Sequence, residues 1–290
     1  MINENAPFTI LLLGRIANTT LSAVAHELPE GKTYKDSIET PETPSLIPGW
    51  ALGIDTEIPR NSIAYHPVFG AIVYNYSYYC FSTKEFIENL KAAEANPAIV
   101  AHLIHINSCG GEAFGCHEAY EAVKALTKPC YAVIDSMAAS AGYYLACAAD
   151  KIYASSLFSE VGCIGTMCTM INDEAWMKAH GYKELEYYSS YSPLKNKVFK
   201  DALEGEGDEF VKRFLDPLAD QFIQDVRTVR PDVEEDSDAL KGETYYAAVA
   251  QAVGLVDGVQ SLEETISELA AESALKNEPS VNINNINFQQ

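Results

Sequence analysis

From Ser62 onward the apolar and polar positions of the chain switch between a two-residue and a helical period, and the switches mark out elements. Residues 62–68 and 71–74 are short runs of β-favouring residues on either side of Gly70 and predict strands. Ser82-Thr83-Lys84-Glu85 has the form of a capping box. Phe86, Ile87, Leu90 and Ala93 then share one helical face, and Asn96-Pro97 ends the helix. The same reading predicts a buried strand over 99–106, a helix over 112–126 and a strand over 131–134, then a helix over 138–149 and a strand over 152–154. Residues 183–188 are strand-like. Phe210, Phe214, Leu218, Phe222 and Val226 form a stripe on a long helix that Pro217 should kink, and helices are expected over 245–252 and 261–269. Strands alternating with helices of this length imply βαβ units, hence an α/β fold with a mostly parallel sheet. The flanks differ. Residues 1–60, punctuated by Pro41, Pro44, Pro48 and Pro59, predict a loop-rich N-terminal arm before a domain over 61–272. Residues 273–290, rich in Asn, predict a disordered polar tail.

Charge narrows the partners. Twenty Lys+Arg against 41 Asp+Glu give a net charge of −21. Such a surface repels phosphate backbones and anionic lipid heads, so neither nucleic acid nor a membrane surface is expected as a partner. No run approaches the roughly 20 apolar residues of a membrane span. Residues 1–7 lack the basic start of a secretory signal, and Gly14-Arg15 interrupts the apolar run 8–13, so a cytoplasmic protein is expected. Seven cysteines, an odd number set mostly in apolar runs, read as free thiols.

Three segments carry candidate chemistry. Asn107-Ser108-Cys109-Gly110-Gly111 lies at an expected strand-to-helix junction, where two glycines let backbone N–H groups face a developing negative charge. Asp135-Ser136-Met137-Ala138-Ala139-Ser140-Ala141-Gly142-Tyr143-Tyr144 crowds small residues around a serine. Ser136 is the better placed of its serines to cap the coming helix, which leaves Ser140 without a structural task. Ser192-Pro193-Leu194-Lys195-Asn196-Lys197 supplies lysines.

Asn-Ser-x-Gly-Gly, Ala-Ala-Ser-Ala-Gly-Tyr-Tyr, Val161-Gly162-Cys163-Ile164-Gly165 and the closing Gly242-Glu243 … Ala252-Val253-Gly254-Leu255-Val256-Asp257 stand in the order found in the S49 serine peptidases, which this chain resembles over about residues 62–270. That family includes signal peptide peptidase A and phage prohead proteases and lies within the ClpP/crotonase superfamily. The resemblance implies a ClpP/crotonase-like fold of stacked βαβ units, with Ser140 as nucleophile and a downstream lysine as base. Lys195 fits best and Lys197 is the alternative. Backbone N–H groups of Gly110 or Gly111 and of Ala141 would form the oxyanion hole, with no cofactor and no metal. Two positions depart from the family: Cys109 stands for its usual proline and Ala141 for a frequent glycine, and both keep the backbone intact.

The chemistry of the residues agrees. A serine hydroxyl needs a base, and a lysine serves once burial lowers its pKa from about 10.4 toward 7–8. A Ser-His-Asp triad is the competing arrangement, but no histidine lies between Ser140 and His180 where a ClpP-like base would fall. His102, His105, Cys109, Cys116 and His117 match no metal-ligand spacing. An acyl-CoA enzyme would want a basic cluster that this chain lacks. The resemblance also implies a homo-oligomeric ring with sites shared between subunits, acting on a peptide or protein. A phage or prophage capsid-maturation protease, located in the cytoplasm or the prohead, is the expected role. A housekeeping peptidase of the signal-peptide-peptidase type and an inactive structural homologue are the alternatives. Small residues around Ser140 suggest a narrow pocket for small or apolar side chains.

Overall fold

The structure, a computed structural model, describes residues 46–48 and 58–277. Most of the expected N-terminal arm, and residues 278–290 of the expected tail, lie outside the described residues.

The spine is a parallel sheet built from β1 (Leu46–Pro48), β2 (Ser62–Val73), β4 (Ile99–Gly111), β5 (Cys130–Ala139), β6 (Lys151–Ala154) and β9 (Gly258–Val259), lying side by side in that order, with β3 (Phe81–Ser82) beside the end of β2. β7 (Glu160–Gly162) pairs parallel with the end of β5 and antiparallel with β8 (Thr244–Tyr246). Three crossovers between parallel strands carry a helix: α1 (Thr83–Ala95) joins β3 to β4, α2 (Cys116–Lys124) joins β4 to β5, and α3 (Ala141–Cys147) joins β5 to β6.

Alternation along the strands divides the core. Ile104 and Ile106 of β4, with Ala132 and Ile134 of β5, face one side and join residues of α1, α2 and α3. Ala101, Leu103, Tyr131 and Val133 face the other, where the helix Leu262–Asn277 lays Leu269 against them. A sheet covered on both faces needs consecutive apolar residues, which is why 103–104 and 131–134 read as unbroken runs. Leu103 and Ile104, buried on opposite faces, each contribute about 1.5–3 kcal/mol.

Several boundaries differ from the sequence reading. Gly70, at φ +76°, sits in a bulge rather than a break, so β2 is continuous from Ser62 to Val73. β4 runs on to Gly111 because Ala71 and Ile72 of that extended β2 still offer it partners; α2 therefore begins only at Cys116, after a left-handed Gly115. β5 likewise extends to Ala139, held by β7, and α3 starts at Ala141. Tyr245 and Tyr246 belong to β8, and the helix follows at Ala247–Ala252. No strand forms over 183–188, which is exposed coil.

The remaining helices are α4 (Glu174–Ala179), α5 (Lys197–Leu203), α6 (Asp208–Phe210), α7 (Asp216–Val229), α8 (Ala247–Ala252) and α9 (Leu262–Asn277). A π-helical turn, Val211–Leu215, joins α6 to α7 immediately before Pro217. Proline cannot donate to the preceding turn, and the widened turn absorbs that loss at the place where a kink is expected.

Candidate active site

Ser140 stands where β5 ends and α3 begins, at the carboxyl edge of the parallel sheet, the usual position of sites in such sheets. It is buried, and its backbone lies at φ +53°, ψ −122°, a conformation that costs a non-glycine residue about 1–3 kcal/mol. The turn is fixed from both sides: Ser140 N–H donates to Gly162 O at 2.8 Å, and Tyr144 N–H donates to Ser140 O at 2.9 Å. Ser140 occupies the cap position of α3 without any side-chain capping bond. Ser136, the expected cap, lies within β5 and donates instead to Asn107 Oδ1 at 2.6 Å. The longer strand carries it away from the helix start.

The glycine segment closes against this turn. A Cβ on Gly110, which lies at φ +100°, would stand 2.9 Å from Ala139 O, 2.9 Å from Ser140 Cβ and 3.1 Å from Ala141 N. Ser108 organises the segment: its Oγ donates to Gly70 O at 2.6 Å and accepts from Gly110 N–H at 3.1 Å. The Gly110 N–H is thereby engaged. Glu112 N–H points to β2, donating to Ile72 O. A Cβ on Gly111 would stand 1.9 Å from Ile72 O, so only glycine lets the chain pass this close to β2. Ala141 N–H is the first of its helix and has no acceptor within it. Gly142 packs in turn on Ser108, where a Cβ would lie 3.0 Å from Ser108 O.

A cleft of about 50 Å³ opens beside Ser140, lined also by His117, Tyr144, Thr166 and Phe222. His117 Nδ1 is hydrogen-bonded to Asp225 Oδ2 at 2.8 Å. Asp225, only 6% exposed on α7, also accepts from the Tyr144 hydroxyl and from Gln221 Nε2 at 3.0 Å. Burial raises the pKa of the Tyr144 hydroxyl, and the aspartate adds to that rise. Asp225 was not singled out in the sequence. Its signal was an acid on the buried side of an apolar stripe, between Phe222 and Val226.

The lysines stand apart from this cleft. Lys195 and Lys197 are exposed and neither lines it. Lys197 Nζ donates to Asp201 at 2.6 Å, which raises its pKa, the opposite of what a general base requires. Lys200 pairs with Glu186. The Lys195 ammonium has no hydrogen-bond or ion-pair partner among the described residues. It belongs to a segment, 171–197, in which nearly every residue is exposed, Tyr191 to 95% and Leu194 to 75%. The other histidines are placed elsewhere. His66 and His102 pair at 3.1 Å, His105 meets Tyr65, and His180 bonds within α4's end to Trp176 O; His26 lies outside the described residues. The seven cysteines are free. No helix of the described residues is long and apolar enough to cross a membrane.

The sequence signature of peptidase family S49 matches residues 122–276, and that of Clp protease matches residues 70–157. A protein of Enterococcus faecium that carries the name of signal peptide peptidase SppA is 27% identical over 206 residues, covering 67% of this chain and 57% of its own. Protease 4 of Salmonella typhi is 26% identical over 193 residues, covering 64% of this chain and 30% of its own. The chain thus spans under six tenths of the length of these relatives. Among solved structures, a point mutant of ClpP1 from Listeria monocytogenes overlaps 70% of this chain and 94% of its own, with 12% identity and a TM-score of 0.42.

Proposed function

The chain belongs to peptidase family S49, and from that premise we propose that it hydrolyses peptide bonds with Ser140 as nucleophile. The observation that carries this reading is the strained, buried Ser140 at the sheet's carboxyl edge, capping a helix with its backbone while its hydroxyl stays free of a capping bond. Ser140 Oγ attacks the peptide carbonyl carbon as its proton passes to a base. The carbonyl oxygen takes up negative charge against the N–H groups of Ala141 and Gly111, and each such donor is worth about 3–4 kcal/mol in the transition state. The base returns the proton to the leaving amine, and water then releases the acyl group by the same steps reversed.

Lys195 is the proposed base, delivered from a neighbouring copy. Its ammonium is unpaired among the described residues, and it rides on a segment whose exposed Tyr191 and Leu194 would be covered by another subunit. Burial in that contact would lower its pKa toward the working range. Such a homo-oligomer, acting on a peptide or protein within the cytoplasm or a phage prohead, fits capsid maturation; a housekeeping peptidase is the alternative role. A second reading of the base rests on one observation: His117, oriented by Asp225, lines the Ser140 cleft within the same chain.

Hydrolysis of a loosely folded protein such as casein tests the reading. Ser140→Ala should melt like wild type and lose hydrolysis by at least a thousandfold; a folded Ser140→Ala protein that cleaves at the wild-type rate would refute it. Lys195→Ala inactive with His117→Ala active assigns the base to the lysine, and the reverse assigns it to the histidine.

A further inference from the structure

Helices α2 and α7 bring three ligating side chains together, one of which, His117, also lines the Ser140 cleft. His117 and Glu121 are four residues apart on α2, so both leave the same face of the helix. Asp225 comes across from α7, and one donor atom from each of the three lies within 4.8 Å of the other two. We propose that His117, Glu121 and Asp225 bind one zinc ion, and that its occupancy pins the His117 wall of the Ser140 cleft and slows hydrolysis there. The effect on hydrolysis rests on the reading of Ser140 given above; the binding does not.

The donor set selects the ion. One imidazole nitrogen and two carboxylate oxygens suit zinc, which takes three protein ligands and leaves a fourth position for water. An all-oxygen cage would suit magnesium or calcium. With bonds of about 2.0–2.2 Å the ligand atoms of a tetrahedral ion stand roughly 3.3–3.6 Å apart. Reaching that spacing asks for a side-chain rotation of Glu121, whose carboxylate is half exposed and held by nothing stronger than Lys124 at 3.8 Å, and for His117 Nδ1 and Asp225 Oδ2, now 2.8 Å apart, to part by about half an ångström around the ion.

The other two ligands are already held. Tyr144 and Gln221 both donate to the buried Asp225 carboxylate, which fixes its orientation as outer partners fix metal-bound carboxylates. His117 already points Nδ1 at Asp225, and shifting its proton to Nε2 frees Nδ1 for the ion. A net charge of −21 favours cation capture over the whole surface.

The effect on the cleft follows from place. His117 forms part of the wall of the cleft of about 50 Å³ next to Ser140, while Glu121 and Asp225 lie outside that lining. The ion therefore acts on the cleft through His117, whose ring it pins in the wall and withdraws from any part in proton transfer.

Calorimetric titration of zinc chloride into the full chain, freed of metal by chelator, tests the site directly. The wild type and Ser140→Ala should each bind one ion, and Glu121→Gln and His117→Gln should each lose about tenfold or more in affinity. Peptide hydrolysis by the wild type should fall at the zinc concentration that half-saturates binding, and the rate of Glu121→Gln, relative to its own metal-free rate, should need at least tenfold more zinc. No saturable binding, or equal binding by wild type and both variants, would overturn the site. Saturation without loss of turnover would overturn the effect on the cleft. Hydrolysis surviving in Ser140→Ala would instead count against the nucleophile and leave the binding result standing.

Discussion

Gly110→Ala perturbs the site through the backbone alone and changes no functional group. Alanine at φ +100° is strained, at about 1–2 kcal/mol for a left-handed conformation. Its Cβ would meet Ala139 O and Ser140 Cβ at 2.9 Å and Ala141 N at 3.1 Å. All three neighbours are the strand end, the nucleophile and a proposed oxyanion donor, none of them a flexible side-chain tip. Relief requires the Ser140 turn or the glycine segment to move by roughly half an ångström, and overpacking of this kind costs about 1–3 kcal/mol. Together the two effects predict a loss of about 2–5 kcal/mol, or a fall in Tm of roughly 4–20 °C for a domain of this size. Catalysis should suffer beyond stability, because sites tolerate only about 0.5 Å of misplacement and 1 Å can cost a hundredfold. Thermal unfolding and casein hydrolysis at 20 °C, well below the transition, separate the two losses. A Gly110→Ala protein with wild-type Tm and turnover would show that this glycine does not support the nucleophile.

Lys197→Ala should keep most activity while Lys195→Ala loses it, because only one amine can lie within reach of Ser140 Oγ. Co-expressed Ser140→Ala and Lys195→Ala protomers should recover about a quarter of wild-type activity if each site draws on two subunits in a head-to-tail ring; mixed oligomers that recover none would place both groups in one chain. Acid should unfold the protein through His66, whose pKa is driven from 6.5 down to about 3, mainly by burial and then by the charge of His102. Its stabilising contribution is full above pH 6.5 and is lost as pH falls toward 3, because the unfolded chain takes a proton that the folded one refuses. The slope is about 1.4 kcal/mol per pH unit, or roughly 2 kcal/mol between pH 7 and 5. Urea unfolding of wild type and His66→Gln at those two pH values should show the variant losing less; equal losses would refute it.

The sheet was legible because residues such as Leu103-Ile104 and Tyr131 to Ile134 must be apolar on both faces, and that leaves unbroken runs. Helix α1 was legible from its cap, since Ser82 Oγ does accept from Glu85 N–H, at 3.2 Å. The strand ends were not. Gly110, Gly111 and Ser136 belong to strands only because Ala71, Ile72 and β7 lie beside them, and local pattern carries no record of those partners. Ser140 stood out from the small residues around it, whereas its strained backbone is imposed by Gly162 and Tyr144. His117 and Asp225, 108 residues apart, meet through the packing of α2 and α7, which no spacing rule encodes.

A fluorophosphonate that labels only activated serines tests the central claim most directly, with intact mass and peptide mapping as the readout. The account predicts one adduct per chain, on the peptide containing Ser140, forming in step with the loss of hydrolysis and absent from Ser140→Ala. An adduct at another serine that abolishes hydrolysis while Ser140 stays unmodified would contradict it.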